Sequence, residues 1–220
     1  MNIAAYIDHT VLKPTTVAAD VERLCKEAME YKFAAVCVPP YYVGFAKGLL
    51  EGSDVKVATV VGFPFGYSSL ESKVAEIVGA IGAGVDEIDM VHNIAAAKNE
   101  DWSYLANEVE LCTQVARAAG KQIKIIVESG VLTDAELLAC CETYAPLGID
   151  FMKTSTGYAE VGATTHAVKL MRAHLPESIQ IKASGGIRTY AFAKELIDAG
   201  ATRLGCSASV AIVKEGIEGL

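Results

Sequence analysis

Two apolar runs each close on a lysine followed by small residues: Ile149–Gly157 (IDFMKTSTG) and Ile179–Gly186 (IQIKASGG). Both read as buried strands, and a strand that ends in a lysine aims a cation at the mouth of a sheet. Lys153 and Lys182, on strands separated by one helix, bring two ammonium groups together. Like charges repel, so structure alone seldom favours this, whereas amine chemistry does. A free lysine is neutral in about one part in a thousand near neutral pH. A second cation roughly 6 Å away, at an effective dielectric of about 20, adds about 3 kcal/mol of repulsion. That lowers a lysine pKa by about 2. The freed amine attacks a carbonyl, and the protonated imine then serves as an electron sink. The competing reading is a structural ion pair of each lysine with a carboxylate. The residues by themselves leave open which lysine would attack.

Other charged groups sit in or at the ends of apolar runs, where unpaired charge is costly. They are Asp8, Asp89 and Glu128, and Cys37 also ends a run. Asp89, between Ile88 and Met90, points into a barrel or a helix layer and can hold a lysine's charge or relay protons. Asp86 and Glu87 begin the same run and are expected to face solvent. Glu128 and Asp8 are read as groups that orient lysines or loop backbone. Cys37 reads as a buried thiol, with nothing to mark it as a nucleophile. Three loops, Ser155–Gly157, Ser184–Arg188 and Gly205–Ser209, are small and polar, suited to bringing backbone N–H groups close to an anion.

The elements that must position these groups alternate from end to end. Strand candidates are Ala5–Asp8, Phe33–Val38, Lys56–Gly62, Glu87–Val91, Gln122–Glu128, Ile149–Lys153, Ile179–Ala183 and Thr202–Cys206. Most are continuous Val/Ile-rich runs, as expected of parallel strands buried on both faces. Val17, Val21, Leu24, Cys25 and Ala28 follow one helix face. Ser68 with Glu71, and Thr133 with Glu136, have capping-box spacing. Gly84, Gly120, Gly148 and Gly200 mark helix exits ahead of strands. Eight such units in 220 residues predict a single-domain (β/α)8 barrel over 1–220, with strand ends and the following loops forming the active face. A doubly wound sheet is the alternative, but no glycine fingerprint follows the first strand.

Net charge is −8, which disfavours nucleic acid or an anionic membrane as partner while leaving room for a locally positive pocket. Six cysteines, Cys140 and Cys141 adjacent, lack C-x-x-C or disulfide-scaffold spacing, so reduced thiols and a cytoplasmic location are expected. No signal peptide or membrane-length apolar run is read. The four histidines, His9, His92, His166 and His174, lack metal-site spacing, and no metal is expected.

These stretches together resemble the deoxyribose-phosphate aldolases, a class I family. The resemblance rests on YIDHTVLKP (Tyr6–Pro14), VCVP (Val36–Pro39), VGFPFG (Val61–Gly66), DEIDMV (Asp86–Val91), FMKTSTG (Phe151–Gly157), IKASGGIR (Ile181–Arg188) and RLGCS (Arg203–Ser207), in family order over nearly the whole chain. It implies cofactor-free, reversible cleavage of 2-deoxy-D-ribose 5-phosphate to D-glyceraldehyde 3-phosphate and acetaldehyde. It further implies that Lys153 forms the Schiff base, that Lys182 tunes it and that Asp89 relays protons. Asp8, Thr10, Cys37 and Thr156 would serve the substrate. Gly157, Gly185, Gly186, Arg188, Gly205 and Ser207 would hold the phosphate. A homo-oligomer, dimer or tetramer, is also implied. Several positions depart from the family pattern. Ala208 replaces the second serine of a common pair, His92 precedes Asn93 where an apolar residue is usual, Pro39-Pro40 doubles a single proline, and Glu160 falls close to the expected phosphate.

Overall fold

Short β-branched runs and longer amphipathic stretches alternate through the computed structural model, which describes residues 2–218. The elements run β1 (Ile7–Thr10), α1 (Ala18–Tyr31), β2 (Ala35–Val38), α2 (Val43–Leu49), β3 (Lys56–Val61), α3 (Leu70–Gly82), β4 (Glu87–Val91), α4 (Ile94–Lys98) and α5 (Trp102–Ala118). They continue with β5 (Gln122–Ile126), α6 (Asp134–Tyr144), β6 (Phe151–Lys153), α7 (Thr165–His174), β7 (Gln180–Ser184), α8 (Tyr190–Asp198), β8 (Arg203–Cys206) and α9 (Ser209–Glu218). The eight strands close in sequence order into an all-parallel barrel, β1 pairing with both β2 and β8. The expected (β/α)8 architecture is the observed one.

Each strand buries its outward face under the helices. Ile88, Met90, Ile123, Ile125, Ile181 and Leu204 belong to one core cluster with Val21, Leu24, Ile77, Val109 and Leu196 from the helix ring. A smaller apolar cluster, Cys37, Ala58 and Val60 with Leu12 and Phe63 packed on it, occupies the β2–β3 side.

Local expectations hold with adjustments. Thr133 and Glu136 form a reciprocal capping box on α6. The cap of α3 is Ser69, one residue later than expected; its hydroxyl accepts from the Ser72 N–H. Val17 caps α1 and is 55% exposed, whereas Val21, Leu24, Cys25 and Ala28 are buried. Ile3–Tyr6 form a 3₁₀ turn, so β1 starts two residues later than read and reaches Thr10. Ile3, Ala4 and Ile7 bury a helical face there, which a period-two reading mistakes for strand. Lys182 lies mid-strand in β7 rather than at its end, below the rim. The shared strand register places Lys153 directly opposite Lys182, and Asp89 opposite Lys124.

Candidate active site

Inward-facing residues alternate along each strand, and several are charged. Asp89 on β4 is fully buried and stands at the centre. Its Oδ2 accepts from Lys153 Nζ at 2.7 Å and from Lys182 Nζ at 2.7 Å, and its Oδ1 accepts from Lys124 Nζ at 2.8 Å. Lys182 also donates to Asp8, and Asp8 accepts from Arg203 at 2.7 Å. Glu87 pairs with Lys124 at 2.6 Å and with Arg203 at 3.0 Å. The network therefore holds four basic groups, Lys124, Lys153, Lys182 and Arg203, against three carboxylates, Asp8, Glu87 and Asp89. One positive charge is in excess, and deprotonating one lysine removes it.

The environments of the lysines decide which one. Burial disfavours the charged form of each. For Lys182 the charges of Asp8 and Asp89 outweigh burial and raise its pKa. For Lys124 the carboxylates of Asp89 and Glu87 do the same. For Lys153 burial wins; Asp89 opposes it, Lys182 adds to it, and the pKa falls below the usual 10.5. The neighbouring cation thus contributes as the sequence suggests, but desolvation is the larger cause. Burial also opposes ionisation of the carboxylates. The surrounding cations overcome it, holding Asp89 well below 3.8 and Asp8 at about 2.

Above this network lies a cavity of about 790 Å³. Of Lys124, Lys153 and Lys182, it is Lys153 that lies on its wall, although only 3% of the residue is exposed. Thr10, Thr156, Gly157, Gly185, Gly186, Arg188, Gly205 and Ser207 line the same cavity. Lys182, Asp89, Asp8 and Cys37 lie off that wall. Asp8 accepts from Lys182 and Arg203 beneath the cavity, and Cys37 is 1% exposed in the apolar cluster, its thiol pushed up to about 11 by burial. Glu160 is exposed and off the wall.

The loops are held by specific contacts. Thr156 donates its hydroxyl to the Glu128 carboxylate, and its N–H lies 3.2 Å from the same group. Burial raises the Glu128 pKa, against the pull of those bonds and of Lys153. Gly185 has φ +89°, and a Cβ there would lie 3.0 Å from Gly162 Cα. Only glycine lets these loops meet so closely. A Cβ on Gly205 would come within 3.2 Å of Lys182 Cε, so this glycine makes room for the buried lysine. The hydroxyl that follows Ala208, on Ser209, is already engaged: it donates to the Cys206 carbonyl and faces His9 Nδ1 at 2.9 Å.

A family model described as DeoC/LacD family aldolase matches residues 2–214. The chain belongs to this aldolase family. Deoxyribose-phosphate aldolase from Thermoanaerobacter sp. (strain X514) is 46% identical over 216 residues, covering 98% of this chain and 97% of the relative. A putative deoxyribose-phosphate aldolase from Coccidioides immitis superposes with TM-score 0.94 at 38% identity, over 98% of this chain and 86% of that one. A deoxyribose phosphate aldolase from Aeropyrum pernix, described as a unique tetrameric structure, gives TM-score 0.92 at 30% identity, over 99% and 92%.

In this family member, the sequence reading missed three groups of the network. Lys124 is flanked by Ile123 and Ile125, the same signal that marked Asp89. Glu87 is corrected from solvent-facing to 3% exposed, and Asp86 is half-buried, accepting from Lys47 and from the Val57 N–H. Arg203 opens β8 and turns inward to Asp8 and Glu87, where nothing in its immediate neighbours signals that role. Among the described residues no cluster of His, Cys, Asp and Glu is placed to hold a metal ion, and no helix is long and apolar enough to cross a membrane.

Proposed function

We propose that this protein is a class I aldolase that reversibly cleaves 2-deoxy-D-ribose 5-phosphate to D-glyceraldehyde 3-phosphate and acetaldehyde. The observation that carries the reading is the Asp89 carboxylate shared by Lys153 and Lys182, with Lys153 facing the cavity. The neutral Lys153 amine adds to the C1 aldehyde of the open-chain sugar, and loss of water gives the iminium. The C3 hydroxyl gives up its proton as the C2–C3 bond breaks. Its electron pair flows into the iminium, leaving an enamine and releasing glyceraldehyde 3-phosphate. Protonation of the enamine at C2 and hydrolysis release acetaldehyde and restore the amine. Asp89, hydrogen-bonded to both lysines, is placed to pass protons between them, and Lys182, held protonated by its two carboxylates, supplies the fixed charge. The phosphate is assigned to Gly157, Gly185, Gly186, Arg188, Gly205 and Ser207, with Thr10 and Thr156 on the sugar. Glycine-rich turns ahead of α8 and α9 suit an anion.

Chain 1–220 is taken to act as one cytoplasmic barrel domain, binding small phosphosugars and aldehydes rather than nucleic acid or membrane, and assembled as a dimer or tetramer. A relative with a tetrameric structure supports the oligomer, and buried free cysteines fit a reducing compartment. The test is a coupled assay of glyceraldehyde 3-phosphate release from 2-deoxyribose 5-phosphate. Turnover is expected in the unmodified protein and its loss in Lys153→Leu, with the fold of the variant checked by circular dichroism. Turnover surviving in Lys153→Leu would overturn the assignment.

A further inference from the structure

The loop after β6 crosses the barrel mouth. At its start, Thr156 is tied to the buried Glu128, and the Tyr158 N–H donates to Thr156 Oγ1 at 3.0 Å. Further along, the Val161 carbonyl abuts Gly130 so closely that a Cβ there would overlap it. Between these anchors Tyr158 reaches over to the opposite rim. Its hydroxyl donates to the Leu12 carbonyl, beyond β1, at 2.8 Å. Its ring meets Phe63, beyond β3, edge to face at 5.4 Å.

This bridge coincides with the end of the cavity. Leu12 and Tyr158 line the space above Lys153, whereas Phe63, Cys37 and Val60 do not. Those three lie on the apolar side of the mouth, where Leu12 and Phe63 cover Cys37, Ala58 and Val60. The polar wall that would take a sugar phosphate is on the near side of the tyrosine and apolar surface on the far side. A phenol has few rotatable bonds to freeze, and this one is held at its backbone, its ring and its hydroxyl, so it makes a fixed wall.

We propose that Tyr158 is a specificity-determining residue, the partition that sets how large an aldehyde can reach Lys153. The inference rests on the reading of Lys153 as the Schiff-base amine. Replacing the ring vacates space bounded by Phe63 and Leu12, which an apolar side chain of an aldehyde would fill. Tyr158→Phe keeps the contact with Phe63 and removes the tie to Leu12; Tyr158→Ala removes both.

The test compares borohydride trapping of acetaldehyde and of 3-phenylpropanal on Lys153 by peptide mass mapping. The ratio of phenylpropanal to acetaldehyde trapping is expected to rise about tenfold or more in Tyr158→Ala, the scale of discrimination an apolar pocket provides, and less in Tyr158→Phe. A ratio unchanged in both variants would overturn the proposal. A second readout needs no imine. Alkylation of Cys37 by N-ethylmaleimide is expected to accelerate in Tyr158→Ala relative to the buried Cys112, because the partition shields that side. Equal acceleration at both thiols would mean general loosening and would count against the partition. Should acetaldehyde leave Lys153 unmodified in the unaltered protein, the Schiff-base reading falls, while the thiol comparison still decides whether Tyr158 closes off the apolar side.

Discussion

At the residue scale, reactivity here is a matter of which lysine escapes its carboxylates. Lys182 and Lys124 each bond two acidic partners, whereas Lys153 has Asp89 alone and shares that oxygen with Lys182. The protons follow: Lys182 keeps its own and Lys153 is the one disposed to lose it. Lys182→Met removes a repelling cation and also leaves Asp89 Oδ2 to Lys153 alone. Both changes raise the Lys153 pKa. The pH midpoint for imine trapping is therefore expected to move up, and trapping near pH 7 to fall roughly tenfold for each unit of that movement. A midpoint that stays put or moves down, measured as trapping rate against pH, would contradict this electrostatic account. The sequence showed the two lysines and Asp89 because charge within an apolar run is conspicuous. Their shared bonding was not legible, since it depends on register between β4, β6 and β7. Lys124 was legible by the same rule as Asp89. Arg203 and Glu87 were not, because a charged residue at the start of a strand reads as a solvent-facing end.

At the element scale, the strands supply the amine network and the loops after β6, β7 and β8 supply the polar wall. The division explains why Lys182, mid-strand, lies under the cavity while Gly185 and Gly186, three and four residues on, line it. Ala208 is the place in the β8 loop where the resemblance leads one to expect a second serine. Ser209 cannot compensate, being occupied by Cys206 and His9. Ala208→Ser is expected to lower KM for 2-deoxyribose 5-phosphate by about fivefold, the worth of one added hydrogen bond of about 1 kcal/mol. Steady-state kinetics on the phosphorylated and unphosphorylated sugars would check it: the gain belongs to the phosphorylated substrate, and an equal gain on both would place the phosphate elsewhere. The loop contacts themselves, such as Tyr158 on Leu12, join residues 146 apart and leave no local signature.

At the scale of the whole molecule, the period of strand and helix made the barrel readable, with errors confined to boundaries such as the 3₁₀ turn before β1. The buried ionic core gives the molecule a characteristic acid limit. Asp8 titrates at about 2 in the folded state against 3.8 unperturbed, and Asp89 is also held low. A lowered carboxylate pKa stabilises the fold above the unfolded value, and the contribution is lost as pH falls through the folded one. Asp8 contributes on the order of 2 kcal/mol near neutrality by this linkage. Denaturant melts are expected to show stability falling between about pH 4 and pH 2, and Asp8→Asn is expected to flatten that fall. An equally steep fall in the variant would place the acid sensitivity elsewhere.

The most direct measurement is mass spectrometry with peptide mapping after treatment with acetaldehyde and borohydride. A single ethyl group on Lys153, absent from Lys153→Leu, is the predicted result. An adduct on Lys182 instead, or none at all, would contradict the assignment of Lys153 as the amine that this barrel was folded to expose.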